Sequence, residues 1–509
     1  MASAPRIALL LLAAAYLAWP NARPDLSALN ADDSEAYLAL SYALTHGFGY
    51  TRSLVAGLHV PHTTWPPGMA VLLAPLMGFM GLPINWLAAK LYMAVLGLGG
   101  LGLAWVYVRR LTGSVATADI AALLLGLMPF YWFFSHAVMS EVPSIGCILA
   151  ALILFDRVWA RRRPAAWLVA LAGCVAGLAM LLRGTNIGLG LVPLAYLVGE
   201  RRALVSRARV VWLLGLHGAG FVLPALGWAL RNGRIDRGGL GFDGIDQTRM
   251  LLATNPLDPT SRLLSLGELV HVDLANLAYE IVYRLPEQII PGLWVGQWHH
   301  WPAAFLLAAM LSLALALAAA PWRATGLPVV CVLVPNVAIL LVYQWGGAVR
   351  FWLPVSALLL LLIAVNARGW RRMPSRRWFR LALSVLVVAS AADLAVFAKA
   401  ALVAPPVGDL ADLLVLFERV GADPARPAAV DTPHPAVLTM LTGIAAPLSV
   451  PARGILPLYS HVISCPVDKP APTRLPVPRD AVLLIAQGGC FYYRLAAPMT
   501  ASAMADAAR

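Results

Sequence analysis

The chain of 509 residues is 60% hydrophobic and only 12% charged, and its mean hydropathy of +0.75 excludes an ordinary water-soluble globular protein. Long uncharged apolar stretches indicate a polytopic α-helical membrane protein, because a backbone in lipid must form its hydrogen bonds internally. The net charge of +13 does not indicate nucleic-acid binding, since the arginines cluster between apolar stretches as the positive-inside rule requires. The predicted environment is therefore a lipid bilayer.

The first apolar stretch, Ile7 to Trp19, follows Arg6 and carries no clean small-x-small cleavage site. We interpret it as a retained first transmembrane helix, so that residues 21–86 form an extracytoplasmic loop. Within this loop, the apolar segment Pro67 to Leu82 is short and interrupted by Pro75. We expect this segment to lie at the interface or to re-enter the membrane, because every later arginine cluster then falls on the cytoplasmic side.

This topology predicts about eleven transmembrane helices in residues 1–400, and a second long extracytoplasmic loop at 231–301. The predicted spans are Ile7–Trp19, Leu87–Val108, Ala116–Phe134, Val142–Val158, Ala165–Leu182, Ile187–Val198, Val210–Leu230, Ala303–Ala320, Leu327–Tyr343, Trp352–Asn366 and Leu381–Ala398.

Residues 401–509 are predicted to form a small extracytoplasmic α/β domain. A helix is expected near Asp409–Val420. Short strands are expected at Ala428–Val430, Leu448–Pro451 and Ala481–Gln487. In an oxidising compartment Cys465 and Cys490 either form a disulfide or remain two free thiols.

Two adjacent carboxylates, Asp32 and Asp33, follow the first span. The apolar positions from Ser34 onward, which include Tyr37, fit a helical face along the membrane that Gly47 would end. Asp33 then falls at the N-cap, so one interpretation is that it only caps this helix. The other is that Asp33 is a general base, held ionised and fixed by the helix N-terminus.

Three further charged residues lie on the same predicted face. Glu141 precedes Pro143, and either occupies the first turn of the next helix or serves as a second acid in the cavity of Asp33. Arg183 and Arg350 are isolated outside arginines next to glycines, which the positive-inside rule does not explain. They either bind an anion such as phosphate or extend to lipid headgroups.

The first loop closes with two histidines and a turn, Trp65-Pro66-Pro67-Gly68. Together with the nearby acids, His59 and His62 are compatible with a divalent metal, but their spacing matches no strong ligand motif. We therefore predict no required cofactor and no assigned metal ligand, and leave a divalent metal as an open alternative.

The order of these motifs resembles the GT-C superfamily of membrane glycosyltransferases over roughly Leu26 to Pro354. The patterns nearest to it are those of the protein O-mannosyltransferases and the lipid A aminoarabinose transferases. The resemblance rests on Asp32-Asp33 with Tyr37-Leu38, Gly47-Phe48-Gly49-Tyr50, Trp65-Pro66-Pro67-Gly68, Ser140-Glu141-x-Pro143, Leu182-Arg183-Gly184 and Arg350-Phe351-x-x-Pro354.

The resemblance implies a polyprenyl-phosphate-linked sugar donor in the outer leaflet, whose anomeric carbon is attacked by an acceptor hydroxyl or phosphate. It implies Asp33 as the base, because Asp33 stands four residues before Tyr37, with Asp32 as the second candidate. Glu141 takes the place of an acid from the second loop, where many relatives carry Asp. The departing phosphate would be neutralised by Arg183 and Arg350.

Three further residues, Tyr37, His62 and Trp65, complete the predicted substrate-binding set. The acceptor is a glycan, a lipid or a protein. The aminoarabinose transferases carry a charged residue before the proline of this loop, where this chain has Trp65-Pro66, and this difference argues against assuming lipid A. The resemblance also implies a multi-pass protein of the bacterial inner membrane with its C-terminal domain extracytoplasmic.

Two other functions fit parts of the pattern. A transporter or flippase of a lipid-linked sugar or another anionic lipid often shows symmetric repeats and broken helices at the bilayer midplane. The sequence shows neither, and its isolated charged residues cluster at one membrane face. A surface-polysaccharide polymerase or ligase would rely on Arg and His residues of the second long loop instead of Asp33.

Overall fold

The structure is a computed structural model. It describes residues 4–20, 31–51, 61–81, 84–159, 165–198, 207–235, 251–254, 261–279, 326–342, 349–370, 428–431, 459–464, 482–487, 490–499 and single positions between 387 and 399.

The described chain is dominated by helices, and its first ten α-helices follow one another closely. They are α1 (Ala4–Ala18), α2 (Ala31–Thr45), α3 (Gly68–Met77), α4 (Trp86–Thr112), α5 (Val115–Leu127), α6 (Pro129–Phe134), α7 (Glu141–Trp159), α8 (Ala166–Leu182), α9 (Val192–Val198) and α10 (Arg207–Gly233). The later elements are α11 (Leu266–Tyr279), α12 (Gly326–Val342), α13 (Leu353–Trp370) and two 3₁₀ helices, Gly184–Leu191 and Val349–Trp352.

The helices have the outward-facing apolar surface of a membrane protein. Large exposed apolar side chains include Leu10 on α1, Trp167 on α8 and Trp212 on α10. Within the described residues, two helices are long and apolar enough to cross a bilayer by length and composition, Trp86–Thr112 and Ala208–Gly233. The number of eleven spans stays a prediction, because Ala303–Ala320 and most of Leu381–Ala398 lie outside the described residues.

Two predicted spans are interrupted in the structure. The predicted span Ala116–Phe134 divides into α5 and α6, because Pro129 lacks the N–H that would continue the helix through Met128. The predicted span Ile187–Val198 is largely a 3₁₀ helix, and its Gly188 lies against the backbone of Cys331 in α12. The segment Pro67 to Leu82 forms only α3, whose ten residues extend about 15 Å and are too short to cross.

The helix α2, which carries Asp33, differs from its predicted form. Both Leu38 and Leu40 are buried, so the helix is enclosed on several sides and does not lie with one face on the membrane. It is covered by α3, and Ser41 Oγ donates a hydrogen bond of 2.8 Å to the carbonyl oxygen of Ala70. As predicted, the helix ends just before Gly47, which adopts a left-handed conformation with φ of 81°.

Close packing of α8 against α10 depends on glycines. A Cβ atom added at Gly220 would overlap the carbonyl oxygen of Ala170, and one added at Gly177 would overlap that of Phe221. Small residues at such positions let two helix backbones approach closely, as in other membrane helix pairs. The C-terminal end of α8, where Arg183 begins the next turn, is therefore fixed against a second long helix.

Replacing Gly220 by Ala is expected to destabilise the protein by about 1–3 kcal/mol, because overpacking forces the two backbones apart. Gly218 lies two residues away on α10, with open space where its Cβ would be. Gly218→Ala is therefore the matched control, and is expected to be neutral or to stabilise the helix by up to about 1 kcal/mol. Thermal unfolding of both variants in detergent measures the difference, and equal midpoints would contradict this account of the packing.

The tail contains a four-stranded sheet with strand order β1-β2-β4-β3, built from β1 (Ala428–Asp431), β2 (Tyr459–Ser464), β3 (Val482–Gln487) and β4 (Cys490–Met499). The strands β1 and β2 are parallel, and the other two pairs are antiparallel. The predicted strands Ala428–Val430 and Ala481–Gln487 correspond to β1 and β3. The predicted helix near Asp409–Val420 and the strand Leu448–Pro451 lie outside the described residues, so the α/β domain stays a prediction.

Candidate active site

Four charged residues from four separate elements meet at one place. Asp33 lies in the first turn of α2, and Glu141 is the first residue of α7. Arg183 is the C-cap of α8, and Arg350 lies in the 3₁₀ helix Val349–Trp352. All four were predicted from the sequence to face one site, and the structure brings them together.

The four residues form a continuous chain of ion pairs. Arg183 Nη1 lies 2.7 Å from Glu141 Oε1, and Arg350 Nη2 lies 2.7 Å from Asp33 Oδ2. The two pairs are joined because Arg350 Nε lies 3.9 Å from the same Glu141 Oε1. Two guanidinium groups and two carboxylates thus balance in formal charge.

The two guanidinium groups both lie over one aromatic side chain, that of Phe351. The Cζ atoms of Arg183 and Arg350 each lie 5.0 Å from the ring centroid of Phe351. The exposed fraction of the side chain is 1% for Glu141 and 10% for Arg183, but 16% for Asp33 and 17% for Arg350. The site therefore has a closed end at Glu141 and a more open end at Asp33.

A buried polar network fixes the turn that carries Arg183. Asn186 Nδ2 donates to the carbonyl oxygen of Ala179 at 2.7 Å and to Ser144 Oγ at 3.0 Å, which ties the end of α8 to α7. Asn336 Nδ2 donates to the carbonyl oxygen of Thr185 at 3.0 Å, which ties the same turn to α12. The guanidinium of Arg183 is therefore positioned by three helices.

Tyr37 also lies in the cluster. Its hydroxyl donates to Ser140 Oγ at 3.3 Å, and Ser140 Oγ accepts a second hydrogen bond of 3.3 Å from Arg183 Nη1. Burial raises the pKa of the Tyr37 hydroxyl, and the negative charges of Asp33 and Glu141 raise it further. Tyr37 therefore stays protonated and acts as a hydrogen-bond donor at physiological pH.

Comparison with known proteins gives the fold. Residues 65–228 match the family model described as dolichyl-phosphate-mannose-protein mannosyltransferase, whereas no curated protein matches the chain. The apo structure of ArnT from Cupriavidus metallidurans aligns with a TM-score of 0.59 at 14% identity, covering 96% of this chain and 98% of that one. ArnT bound to undecaprenyl phosphate aligns with a TM-score of 0.54 at 15% identity, covering 87% and 85%. The chain has the fold of these ArnT structures. The resemblance inferred from the motif order is thereby confirmed.

Of the remaining predicted site residues, His62 and Trp65 lie beside the cluster. His62 is buried, its Nε2 accepts a hydrogen bond of 2.9 Å from the backbone N–H of Trp65, and the two rings stack with centroids 4.8 Å apart. The Trp65 ring centroid lies 6.4 Å from that of Tyr37. His62 thus orients Trp65, whose ring lies beside that of Tyr37.

Sequence reasoning missed the residues that hold this loop. Arg231 Nη1 donates to the carbonyl oxygen of His62 at 2.6 Å, and Asn232 Nδ2 donates to that of Thr63 at 3.2 Å. The Arg231 guanidinium also lies over the ring of Tyr50, with its Cζ atom 5.3 Å from the centroid. Arg231 follows a predicted span on the outside, so the positive-inside argument that identified Arg183 could have identified it as well.

The predicted helix positions of Asp33 and Glu141 and the predicted metal alternative can each be compared with the structure. The helix α2 begins at Ala31, so Asp33 lies inside the first turn and is not the N-cap. Acidic residues are favoured in a first turn, and Glu141 lies in the first turn of α7, as one of its two interpretations predicted. No cluster of three or more potential metal ligands is present among the residues that the structure describes. His59 and the side chain of Asp32 lie outside them, so both the metal alternative and the second candidate base stay predictions.

Proposed function

We propose that this protein is a glycosyltransferase that moves a sugar from a polyprenyl-phosphate carrier to an acceptor at the outer face of the membrane. The observation that supports it best is the cluster of Asp33, Glu141, Arg183 and Arg350, in which two guanidinium groups lie beside two carboxylates. Guanidinium groups match phosphate oxygens in bidentate fashion. One of the two carboxylates, that of Asp33, can act as the general base in the same site.

In the proposed reaction, Asp33 removes the proton from an acceptor hydroxyl as the acceptor oxygen attacks the anomeric carbon of the sugar. The bond between that carbon and the phosphate oxygen breaks, and both of its electrons leave with the polyprenyl phosphate. Arg183 and Arg350 stabilise the negative charge that develops on the phosphate, because they are already fixed in place before the bond breaks. Asp33 is placed for the acceptor because it lies at the more open end of the cluster.

The comparisons support a lipid-phosphate donor. The family description names dolichyl-phosphate mannose, and one ArnT structure is bound to undecaprenyl phosphate. Both are polyprenyl phosphates, although the two descriptions do not name a common acceptor. We therefore assign the donor class to this chain and leave the acceptor as a glycan, a lipid or a protein.

The proposal includes a location and names no required metal, with a divalent metal as the open alternative. On the basis of the motif resemblance, we propose a multi-pass protein of the bacterial inner membrane, with its α/β tail and active site extracytoplasmic. Arg350 supplies positive charge between the two carboxylates, where a divalent cation would otherwise bind. We expect EDTA to leave the activity unchanged.

The test is release of free polyprenyl phosphate from a panel of polyprenyl-phosphate sugars, measured in proteoliposomes with a cell-envelope extract as the source of acceptor. The expected result is cleavage of one panel sugar and transfer of that sugar to an extract component. The leaflet position of the lipid is followed in parallel with a periodate-accessible donor. Movement between leaflets without cleavage would instead support the transporter or flippase. Cleavage that depends on second-loop arginines and not on Asp33 would support a polymerase or ligase.

A further inference from the structure

The two carboxylate oxygens of Glu141 have different surroundings. Oε1 receives Arg183 Nη1 at 2.7 Å and lies 3.9 Å from Arg350 Nε. Oε2 is buried and accepts no hydrogen bond from any residue that the structure describes. The side chain as a whole is only 1% exposed. A buried carboxylate oxygen without a donor is unfavourable, so such an atom indicates a partner that arrives with a ligand.

The hydroxyl groups of Ser140 and Ser144, which lie near Glu141 in the chain, are already engaged with other partners. Ser140 Oγ accepts from Tyr37 and from Arg183, and Ser144 Oγ exchanges hydrogen bonds with Asn186. A rotation of either serine toward Glu141 would break those bonds. The donor for Oε2 is therefore expected from the substrate.

The surroundings of Arg183 Nε indicate which class of ligand supplies this donor. Arg183 Nε is also buried, and it donates no hydrogen bond to any of the described residues. Arg183 and Glu141, which are joined through Nη1 and Oε1, thus offer one further donor and one further acceptor. A glycosyl phosphate carries the complement, since its phosphate oxygen accepts and the hydroxyl on the carbon next to the anomeric carbon donates. An acceptor substrate without a phosphate has no phosphate oxygen to accept the hydrogen bond from Arg183 Nε.

We propose that Glu141 Oε2 accepts a hydrogen bond from the hydroxyl group next to the anomeric carbon of the transferred sugar, while Arg183 Nε donates to the phosphate. This inference rests on the proposed function and deepens it. Glu141 is then a residue that selects the donor sugar, and the proton removal assigned to Asp33 is separate from it. Sugars with a hydrogen-bond donor at that carbon are favoured, and 2-deoxy sugars are rejected.

The experiment compares the panel sugar that wild type cleaves fastest with its 2-deoxy analogue on the same polyprenyl phosphate. Wild type is expected to lose about 10–100-fold in kcat/KM with the deoxy donor, the range for a hydrogen bond to a charged group. Glu141→Gln, which removes the charge at nearly constant shape, is expected to reduce the wild-type ratio about 10-fold or more. Any intrinsic reactivity difference between the two sugars cancels when the ratios of the two enzymes are compared.

The matched control is Asp156→Asn, also an acid-to-amide change in an ion pair. Asp156 Oδ2 lies 2.6 Å from Arg110 Nη2, and its position is fifteen residues after Glu141 on α7. At a rise of 1.5 Å per residue the two are about 22 Å apart, so this variant should keep the wild-type ratio. Equal ratios in wild type and Glu141→Gln would overturn the assignment of the hydroxyl while leaving the glycosyltransferase in place.

A binding measurement covers the case in which Glu141→Gln is inactive. In an Asp33→Asn background, which blocks turnover, the intact donor and its deoxy analogue compete for the site at equilibrium. The intact donor should bind about 10–100-fold more tightly, and Glu141→Gln should abolish that preference. Equal affinities of the two donors would overturn the inference. Cleavage of no panel sugar by wild type would overturn the proposed function, and with it this assignment.

Discussion

Replacing Asp33 by Asn is expected to lower the rate of polyprenyl-phosphate release by about 10²–10⁴-fold, the range that a positioned general base contributes. The amide has nearly the shape of the carboxylate and can still accept from Arg350 Nη2, which lies 2.7 Å from Oδ2 in the native pair. It cannot take a proton from the acceptor hydroxyl. The loss should therefore fall on kcat, with the affinity for the donor changed little.

Three measurements separate this role from a structural one. Asp156→Asn removes the acid of the Arg110 ion pair and should retain wild-type activity. The thermal unfolding midpoint of Asp33→Asn should differ from that of wild type by a few degrees at most. Asp33 is partly exposed, and Arg350 still has the carboxylate of Glu141 beside it after the change. The pH–rate profile of wild type should lose its acidic limb in Asp33→Asn. An Asp33→Asn enzyme within about threefold of wild type would contradict the assignment and direct attention to Asp32.

The residues of the site could be predicted from the sequence because the positive-inside rule does not explain their charges. The arginines in the short connections between predicted spans cluster on the predicted cytoplasmic side, so Arg183 and Arg350, each beside a span on the outside, were conspicuous. Glu141 was recognisable because a charged residue beside an apolar span is costly and needs a reason. These arguments use only sequence position and membrane side, which is why they identified residues far apart in the chain.

The geometry of the site could not be predicted, because it depends on contacts between distant segments. Nothing in the sequence indicates that Asn186 would bind the end of α8 to Ser144, or that Arg231 would hold the backbone of His62. The burial of Leu40 in α2 likewise depends on coverage by α3, which single-helix periodicity does not report. Local patterns predicted where helices lie, and tertiary packing decided how they break and which faces are covered.

Arg350→Ala is expected to lower kcat by about 10²–10³-fold, the loss seen when one fixed donor to a developing negative charge is removed. It should also weaken inhibition by the product, polyprenyl phosphate, because the guanidinium binds that group directly in the proposed mechanism. Arg350→Lys should recover only part of the activity, since an ammonium keeps the charge without the planar pair of donors. Arg110→Ala, which removes the guanidinium paired with Asp156, is the control and should resemble wild type.

A double variant decides whether Arg350 acts on phosphate or only through its partner, because its guanidinium also holds Asp33 at 2.7 Å. If Arg350 served only to position Asp33, its replacement would change nothing further once Asp33 is Asn. If it binds phosphate, Arg350→Ala in the Asp33→Asn background should still weaken polyprenyl-phosphate binding, measured at equilibrium without turnover. Unchanged binding in that background would show that Arg350 does not bind the phosphate. Arg183 would then be the remaining cation predicted to bind it. Weakened binding would mean that the same guanidinium serves the carboxylate before the donor binds and the phosphate afterwards.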